Sequence, residues 1–321
     1  MVDRPKKPSA LSTNPGHVAP QAQVTVGDER VSAVLPTGES VEILLYGATI
    51  LSWKDAQGNE RLFLSDKAKL DGTKAVRGGV PIVFPVFGTA PDHPGTSKLP
   101  QHGFARISRW EFLGKSTSES SAVQGAGDSS VKLDFGLSSN NLSAESKAAW
   151  PHEFGLIYSV TLGRGELGTS IVVTNEDKEP WEFQTLLHTY FRIKDISKIS
   201  ITGLESSSYL DKLIKPLKST TSPASAVTIT AKTDRVYTPA GGDKAPIEIL
   251  EDGVKTYTIV RDNLNEVVVW NPWEDGAKDI ADFGPADGWK NMICAEAGAV
   301  KGWQKLEPGE TFEGGQFIRL N

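Results

Sequence analysis

Cysteine is almost absent from this 321-residue chain. Cys294 stands alone, so no internal disulfide can form and a reducing, cytosolic setting is expected. It lies in the apolar run Asn291-Met-Ile-Cys-Ala295, where a packed, inert thiol is the expectation. Long apolar runs are missing as well, so no spanning helix is expected. There is no excess of basic charge. A net charge of −6 gives neither nucleic acid nor an acidic membrane a reason to bind, so any anion site has to be a local basic pocket. The first 23 residues are polar and rich in proline and lack the apolar core of a secretory leader; a loose arm is expected there. The closing Arg-Leu-Asn matches no common address signal. Helix signals are scarce. In the first half only Ser143–Ala149, with Ser143 as its cap, reads as a brief helical turn.

What is present is strand after strand, punctuated by 31 glycines and 19 prolines. Short β-branched runs at Val24–Val26, Val31–Leu35 and Val41–Leu45 are broken by Gly27-Asp28 and Thr37-Gly38-Glu39. A glycine-bent strand over 46–53 and a return strand at Arg61–Leu64 follow. Lys115 to Ser130 is rich in serine and glycine and reads as an exposed hairpin tip between Trp110–Leu113 and Val131–Phe135. The clearest signal runs from Phe154 to Ile193: a strand, the turn Gly-Arg-Gly-Glu-Leu-Gly, a second strand, then Trp-Glu-Phe-Gln-Thr-Leu-Leu-His-Thr-Tyr-Phe-Arg-Ile as an alternating third. Further strands fall at Ile199–Gly203, Ala226–Ala231, Pro246–Leu250, Thr256–Val260 and Val267–Trp270, with a strand-turn-strand from Trp303 to Leu320. This spacing predicts an all-β sandwich or barrel. No composition break or internal repeat divides it, so residues 24–321 are expected to form a single domain.

One stretch, Ala75 to Arg109, combines features suited to a ligand. Arg77 precedes Gly78-Gly79, and Gln101-His102-Gly103 precedes Arg106. Glycine lets a ligand approach the backbone closely, and arginine offers a planar, permanently charged fork for phosphate or carboxylate. Two forks beside glycine turns make an anion pocket, although a single arginine is more often a solvated or ion-paired surface residue.

Of five histidines, His17 and His93 lie in proline-rich loops, and His152 follows Trp150-Pro151 in a surface or stacking setting. His102 lies inside the arginine stretch. His188 shares a strand face with Leu186 and Tyr190, where its polar tip needs either a core partner or a ligand. The histidines are too scattered for a metal-dependent sugar isomerase, and no metal or other cofactor is expected. Near the carboxyl end Glu296 sits among small apolar residues; it is either a general base tuned by burial or the salt-bridge partner of an arginine such as Arg77. Asp234, in Thr-Asp-Arg-Val-Tyr, opens a strand and has an exposed turn acid as its plain reading. Trp270 and Trp273 offer flat faces on which a ligand can stack, but core or rim packing is the commoner role.

Six segments in order, RGGVPIVFPVFG, QHGFAR, WPHEFGLIYSVTL, LLHTYF, TDRVY and CAEAG, resemble the hexose-6-phosphate mutarotases (glucose-6-phosphate 1-epimerases) of the galactose mutarotase-like, aldose 1-epimerase superfamily. The resemblance spans about residues 24 to 320. It implies a large antiparallel β-sandwich of the galactose mutarotase type, with sugar bound across one sheet. It also implies His188 as general acid and Glu296 as general base. Arg77, Gln101 and Arg106 would hold the sugar and its phosphate, Asp234, ahead of the rival acid Asp211, would accept a hydrogen bond from a sugar hydroxyl, and His102 would touch substrate. The implied protein is a monomeric, cytoplasmic isomerase acting on a small hexose 6-phosphate, with no cofactor. Two other readings stay open: a non-catalytic phosphosugar-binding module on the same fold, and a sandwich-fold glycosidase, which needs two carboxylates flanking the bond.

Overall fold

The computed structural model describes residues 21–118 and 130–321. The expected arm lies outside the described residues as far as residue 20; of its last three residues, Ala22 is buried and Gln23 opens the first strand. Every strand pair among the described residues is antiparallel, in three sheets of four, eight and nine strands. This is the sandwich expected from the sequence.

Period-two alternation explains the nine-stranded sheet. In Ser130–Ser138, Val131, Leu133, Phe135 and Leu137 point inward while Lys132 and Asp134 point out. The neighbouring pair Phe154–Gly163 and Glu166–Asn175 closes through the two-residue loop Arg164-Gly165, with Gly165 at φ 65°. Glu111–Ser118 pairs with Ser130–Ser138 as the expected hairpin, whose tip lies outside the described residues. Ser143 caps the helix Ala144–Ala149 by accepting the Ser146 N–H at 3.2 Å.

The eight-stranded sheet runs in the order Ser219–Thr221, Ser208–Asp211, Thr233–Thr238, Glu266–Asn271, Met292–Leu306, Trp181–Leu187, Ile82–Val83, with Tyr190–Arg192 also paired to Met292–Leu306. One buried cluster runs from Ala22 to Ile318. At one end of it the Phe84 ring lies within 6.5 Å of those of Phe104, Trp150, Phe154, Trp181 and Phe183, mostly edge-on or tilted. Each such pair adds about 0.5–1.5 kcal/mol beyond area burial. Phe84 directly follows the edge strand, so this packing fixes the loops that carry the arginines.

Four local expectations need correction. Arg61–Leu64 makes only isolated bridges, because Leu62 and Leu64 pair with Phe191 and Gly78 instead of continuing the ladder from Lys54. The strand ending in Tyr-Phe-Arg is broken at His188-Thr189, where the His188 N–H bonds the Pro81 carbonyl and the Thr189 N–H turns back to Leu187. A helix, Trp273–Asp279, follows Pro272 where only a strand end was expected. The short pair Ser208–Asp211 and Ser219–Thr221 was also unforeseen. Among the described residues no helix is long and apolar enough to cross a membrane.

Gly79 is tightly constrained. Its φ is +66°, and a Cβ there would lie 1.9 Å from the Ile50 carbonyl oxygen, while its own carbonyl accepts the Tyr190 N–H at 2.9 Å. Gly79→Ala is expected to destabilise the protein by roughly 3 kcal/mol or more through strain and overpacking. A urea midpoint within error of the parent would refute this account of the turn.

Candidate active site

Sheet register builds the site. Across one face of the eight-stranded sheet, Tyr190 pairs with Cys294, Cys294 with Trp270, and Trp270 with Asp234. One row along, Glu296 pairs with Val268 and Val268 with Val236. His188 is bracketed by the pairs Leu187–Ala297 and Tyr190–Cys294, which puts it opposite Glu296. Directly opposed residues share a face. The two groups singled out from distant parts of the sequence therefore meet.

His188 Nδ1 lies 3.4 Å from Glu296 Oε1, with side chains 10% and 1% exposed. The approach lacks hydrogen-bond geometry. His188 Nδ1 and Glu296 Oε2 are both buried without a hydrogen-bond partner. Such atoms cost about 1–3 kcal/mol each, which points to a place held for a ligand. Burial, then Arg106 and Arg77, pulls the imidazole well below its usual pKa. Burial, then Asp234, pushes the Glu296 carboxyl well up. Both directions favour the neutral forms of the two groups. The His188 ring stacks on Tyr190 at 4.7 Å and stands edge-on to Trp270 at 6.1 Å.

Arg77 is not the salt-bridge partner of Glu296. Its Nε donates to Asp282 Oδ1 at 3.2 Å and its Nη1 to the Tyr190 hydroxyl at 3.3 Å. These partners outweigh burial and hold its pKa above the usual arginine value. Arg106 donates from Nη2 to the Gln101 carbonyl at 2.7 Å, while its Nε is buried and unpartnered. Burial and the Arg77 charge pull it down to about 10, so it remains charged at neutral pH.

His102 adopts φ 67°, sparse for a non-glycine residue, and is held there by Gly88. Gly88 N–H donates to His102 Nδ1 at 3.1 Å, and His102 N–H donates back to the Gly88 carbonyl at 2.7 Å. With Nδ1 accepting, a neutral His102 carries its proton on Nε2, 3.5 Å from the Gln101 amide nitrogen. Burial and Arg106 keep its pKa well below the usual value. Gly103 completes this loop at φ +69°, where a Cβ would lie 2.1 Å from the Phe84 oxygen.

Asp234 is half-buried, 3.9 Å from Lys212, and burial raises its pKa. Asp211 is instead paired with Arg235 at 3.1 Å. Of the tryptophans, Trp270 stands beside the histidine, whereas Trp273 packs on Trp289 at 4.6 Å. Sequence reasoning missed Asp282 and Lys212. Asp282 arrives on the segment after the unforeseen helix. The Lys212 ammonium lies 4.2 Å from the Phe87 ring centroid, and Phe87 in turn leans on His102. Cys294 also joins the group: it, His188 and Glu296 each offer a ligand atom within 4.8 Å of the others. Their scatter along the chain had hidden any such cluster.

The solved structure of a "putative mutarotase" from Salmonella typhimurium superposes with a TM-score of 0.75 at 27% identity, covering 94% of each chain. The galactose 1-epimerase of Lactobacillus acidophilus has the same fold at 13% identity, with a TM-score of 0.68 over 94% of this chain and 99% of that one. The architecture is thus the antiparallel sandwich of the galactose mutarotases, with the His188–Glu296 pair on one sheet face. Residues 30–319 match the aldose 1-epimerase family, and the chain belongs to it and is an isomerase. It is 37% identical over 276 residues to a protein of Cenchrus ciliaris named "Putative glucose-6-phosphate 1-epimerase", covering 85% of this chain and 79% of that one. A protein of the same name from Escherichia coli K12 is 32% identical over 279 residues, covering 86% and 85%.

Proposed function

We propose that this isomerase interconverts the α and β anomers of hexose 6-phosphates, with glucose 6-phosphate as the foremost substrate. The observation that carries this reading is a buried acid–base pair, His188 and Glu296, under the electrostatic influence of two arginines, Arg77 and Arg106. The names of the two relatives above support the choice of phosphate ester. Glu296 as carboxylate takes the proton of the anomeric hydroxyl while protonated His188 gives one to the ring oxygen. The hemiacetal C–O bond breaks and the free aldehyde turns about C1–C2. The pair is then neutral imidazole and carboxylic acid, the forms that burial favours. Ring closure on the other face reverses both transfers and restores the starting charges. Arg77 and Arg106 hold the phosphate, Gln101 and His102 position the sugar with them, Asp234 accepts from a hydroxyl, and Trp270 lines the apolar ring face. Residues 24–321 act as one domain, supported by the continuous buried cluster, in the cytoplasm and as a monomer.

NMR exchange between the anomers of glucose 6-phosphate, with glucose as control, tests the reading. Exchange accelerated far more for the phosphate ester than for the glucose control supports it. Binding without acceleration points to a phosphosugar-binding module.

The arginines also predict a charge effect. Their field helps keep His188 neutral, so a dianion bound between them should raise its pKa. Sulfate, which has no titration of its own in this range, is expected to move the His188 midpoint upward in histidine ring NMR. Arg106→Gln should do the same without sulfate. A midpoint indifferent to both would place the anion elsewhere.

A further inference from the structure

We propose that His188, Cys294 and Glu296 form a site for one thiophilic divalent cation, with Zn²⁺ as the reference ion, and that filling it switches the acid–base pair off. The donor set is one imidazole nitrogen, one thiol sulfur and one carboxylate oxygen, all from buried side chains. Three such protein ligands with water in the fourth position match tetrahedral zinc, whereas Mg²⁺ and Ca²⁺ require more oxygen.

The spacing of the donor atoms fits as well as their types. Two ligands at ~2.0–2.2 Å on a tetrahedron stand about 3.3–3.6 Å apart, and the His188–Glu296 edge is already 3.4 Å. No separation in the group exceeds 4.8 Å, so the thiol edges need to close by at most about 1.2 Å against the ~3.6 Å a zinc–sulfur edge takes. His188 Nδ1, one end of that edge, lies buried without a partner, and so does Glu296 Oε2, the second oxygen of the carboxylate whose Oε1 forms the edge, so the imidazole can coordinate without breaking a hydrogen bond. The cation is held by the thiolate, the carboxylate and the neutral imidazole, and the protons these forms give up pass to solvent. The Zn²⁺, thiolate and carboxylate charges then cancel within the site. The carboxylate can no longer take a proton, nor the imidazole give one.

The inhibitory half of this proposal rests on the acid–base role proposed above; the binding half does not. Co²⁺ added to the full-length protein is the first probe, because its absorption reports both thiolate ligation and four-coordination. One Co²⁺ per chain with a thiolate charge-transfer band is expected, displaced by Zn²⁺, with anomer exchange falling in proportion to occupancy and recovering with EDTA. Cys294→Ala and Cys294→Ser should lose the band and weaken Zn²⁺ by at least ~100-fold, since losing even outer-shell partners costs 10–100-fold. Thermal unfolding of each variant checks that it is folded, and the band in the parent protein stands without any variant. No uptake at millimolar Co²⁺, or uptake without a thiolate band, overturns the site. Uptake with the band but undiminished exchange overturns the inhibitory half and counts against His188 and Glu296 as the acid–base pair. Uptake with the band in a protein that never exchanges anomers upholds the site and sinks the mutarotase reading alone.

Discussion

Glu296→Gln and His188→Ala are each expected to lower kcat for anomer exchange by about 10²–10⁴-fold, the usual worth of a positioned general acid or base. The double variant should be little worse than the poorer single one, because the two residues act as a unit in one proton exchange. The stability of Glu296→Gln separates function from fold. The glutamate is 1% exposed, has one oxygen without a partner, and is held toward its neutral form by burial. A neutral amide of nearly the same shape removes a buried ionisable group and retains the volume. Its unfolding temperature should equal or exceed that of the parent, as expected where a site is built for chemistry at the expense of stability. Anomer-exchange NMR and a thermal melt on the same preparation check both halves. Full activity in either single variant would remove that residue from the mechanism, whereas loss of activity together with a lowered melting temperature would mean that a structural role had been mistaken for a chemical one.

The sheet was legible in the sequence because alternation is a local property. Val131, Leu133, Phe135 and Leu137 announce their strand without reference to anything distant. The helix Ala144–Ala149 was legible for the same reason, through its serine cap. The return strand at Arg61–Leu64 misled, because its pairing partners, Phe191 and Gly78, are chosen by the tertiary fold. The break at His188 was invisible too, since a carbonyl from Pro81 intercepts the histidine N–H. In the site, the residue types and their order singled out His188, Glu296, Arg77, Arg106 and Asp234. Their mutual geometry depends on register between strands distant in the chain. Asp282 carried no local signal at all: an aspartate after a short helix becomes meaningful only when Arg77 lies 3.2 Å away. Likewise Cys294 reads as a packed thiol along the chain, and only strand pairing sets it beside His188 and Glu296.

Arg106→Ala is expected to raise KM for glucose 6-phosphate by roughly 10–100-fold while leaving glucose turnover near the parent value. One charge-assisted hydrogen bond contributes about 1.5–3 kcal/mol, and each 1.4 kcal/mol is tenfold in affinity. The arginines should differ from one another. Arg106 spends Nη2 on the Gln101 carbonyl and keeps its buried Nε unpartnered, so its removal orphans little besides the ligand. Arg77 commits Nε to Asp282 and Nη1 to Tyr190. Arg77→Ala therefore leaves a half-buried carboxylate and a buried phenol without their donor, and should lower stability by about 1–3 kcal/mol on top of the binding loss. Arg106→Lys discriminates further: it restores the charge but not the planar fork, so it should recover part of the lost affinity and not all of it. Steady-state kinetics with both sugars, beside urea unfolding of both alanine variants, read these outcomes separately. If Arg106→Ala slows glucose and glucose 6-phosphate equally, the arginine serves the sugar ring or the histidine, and phosphate selectivity must come from another cation. Lys212 is the nearest alternative, since its ammonium already faces Asp234 across the same sheet.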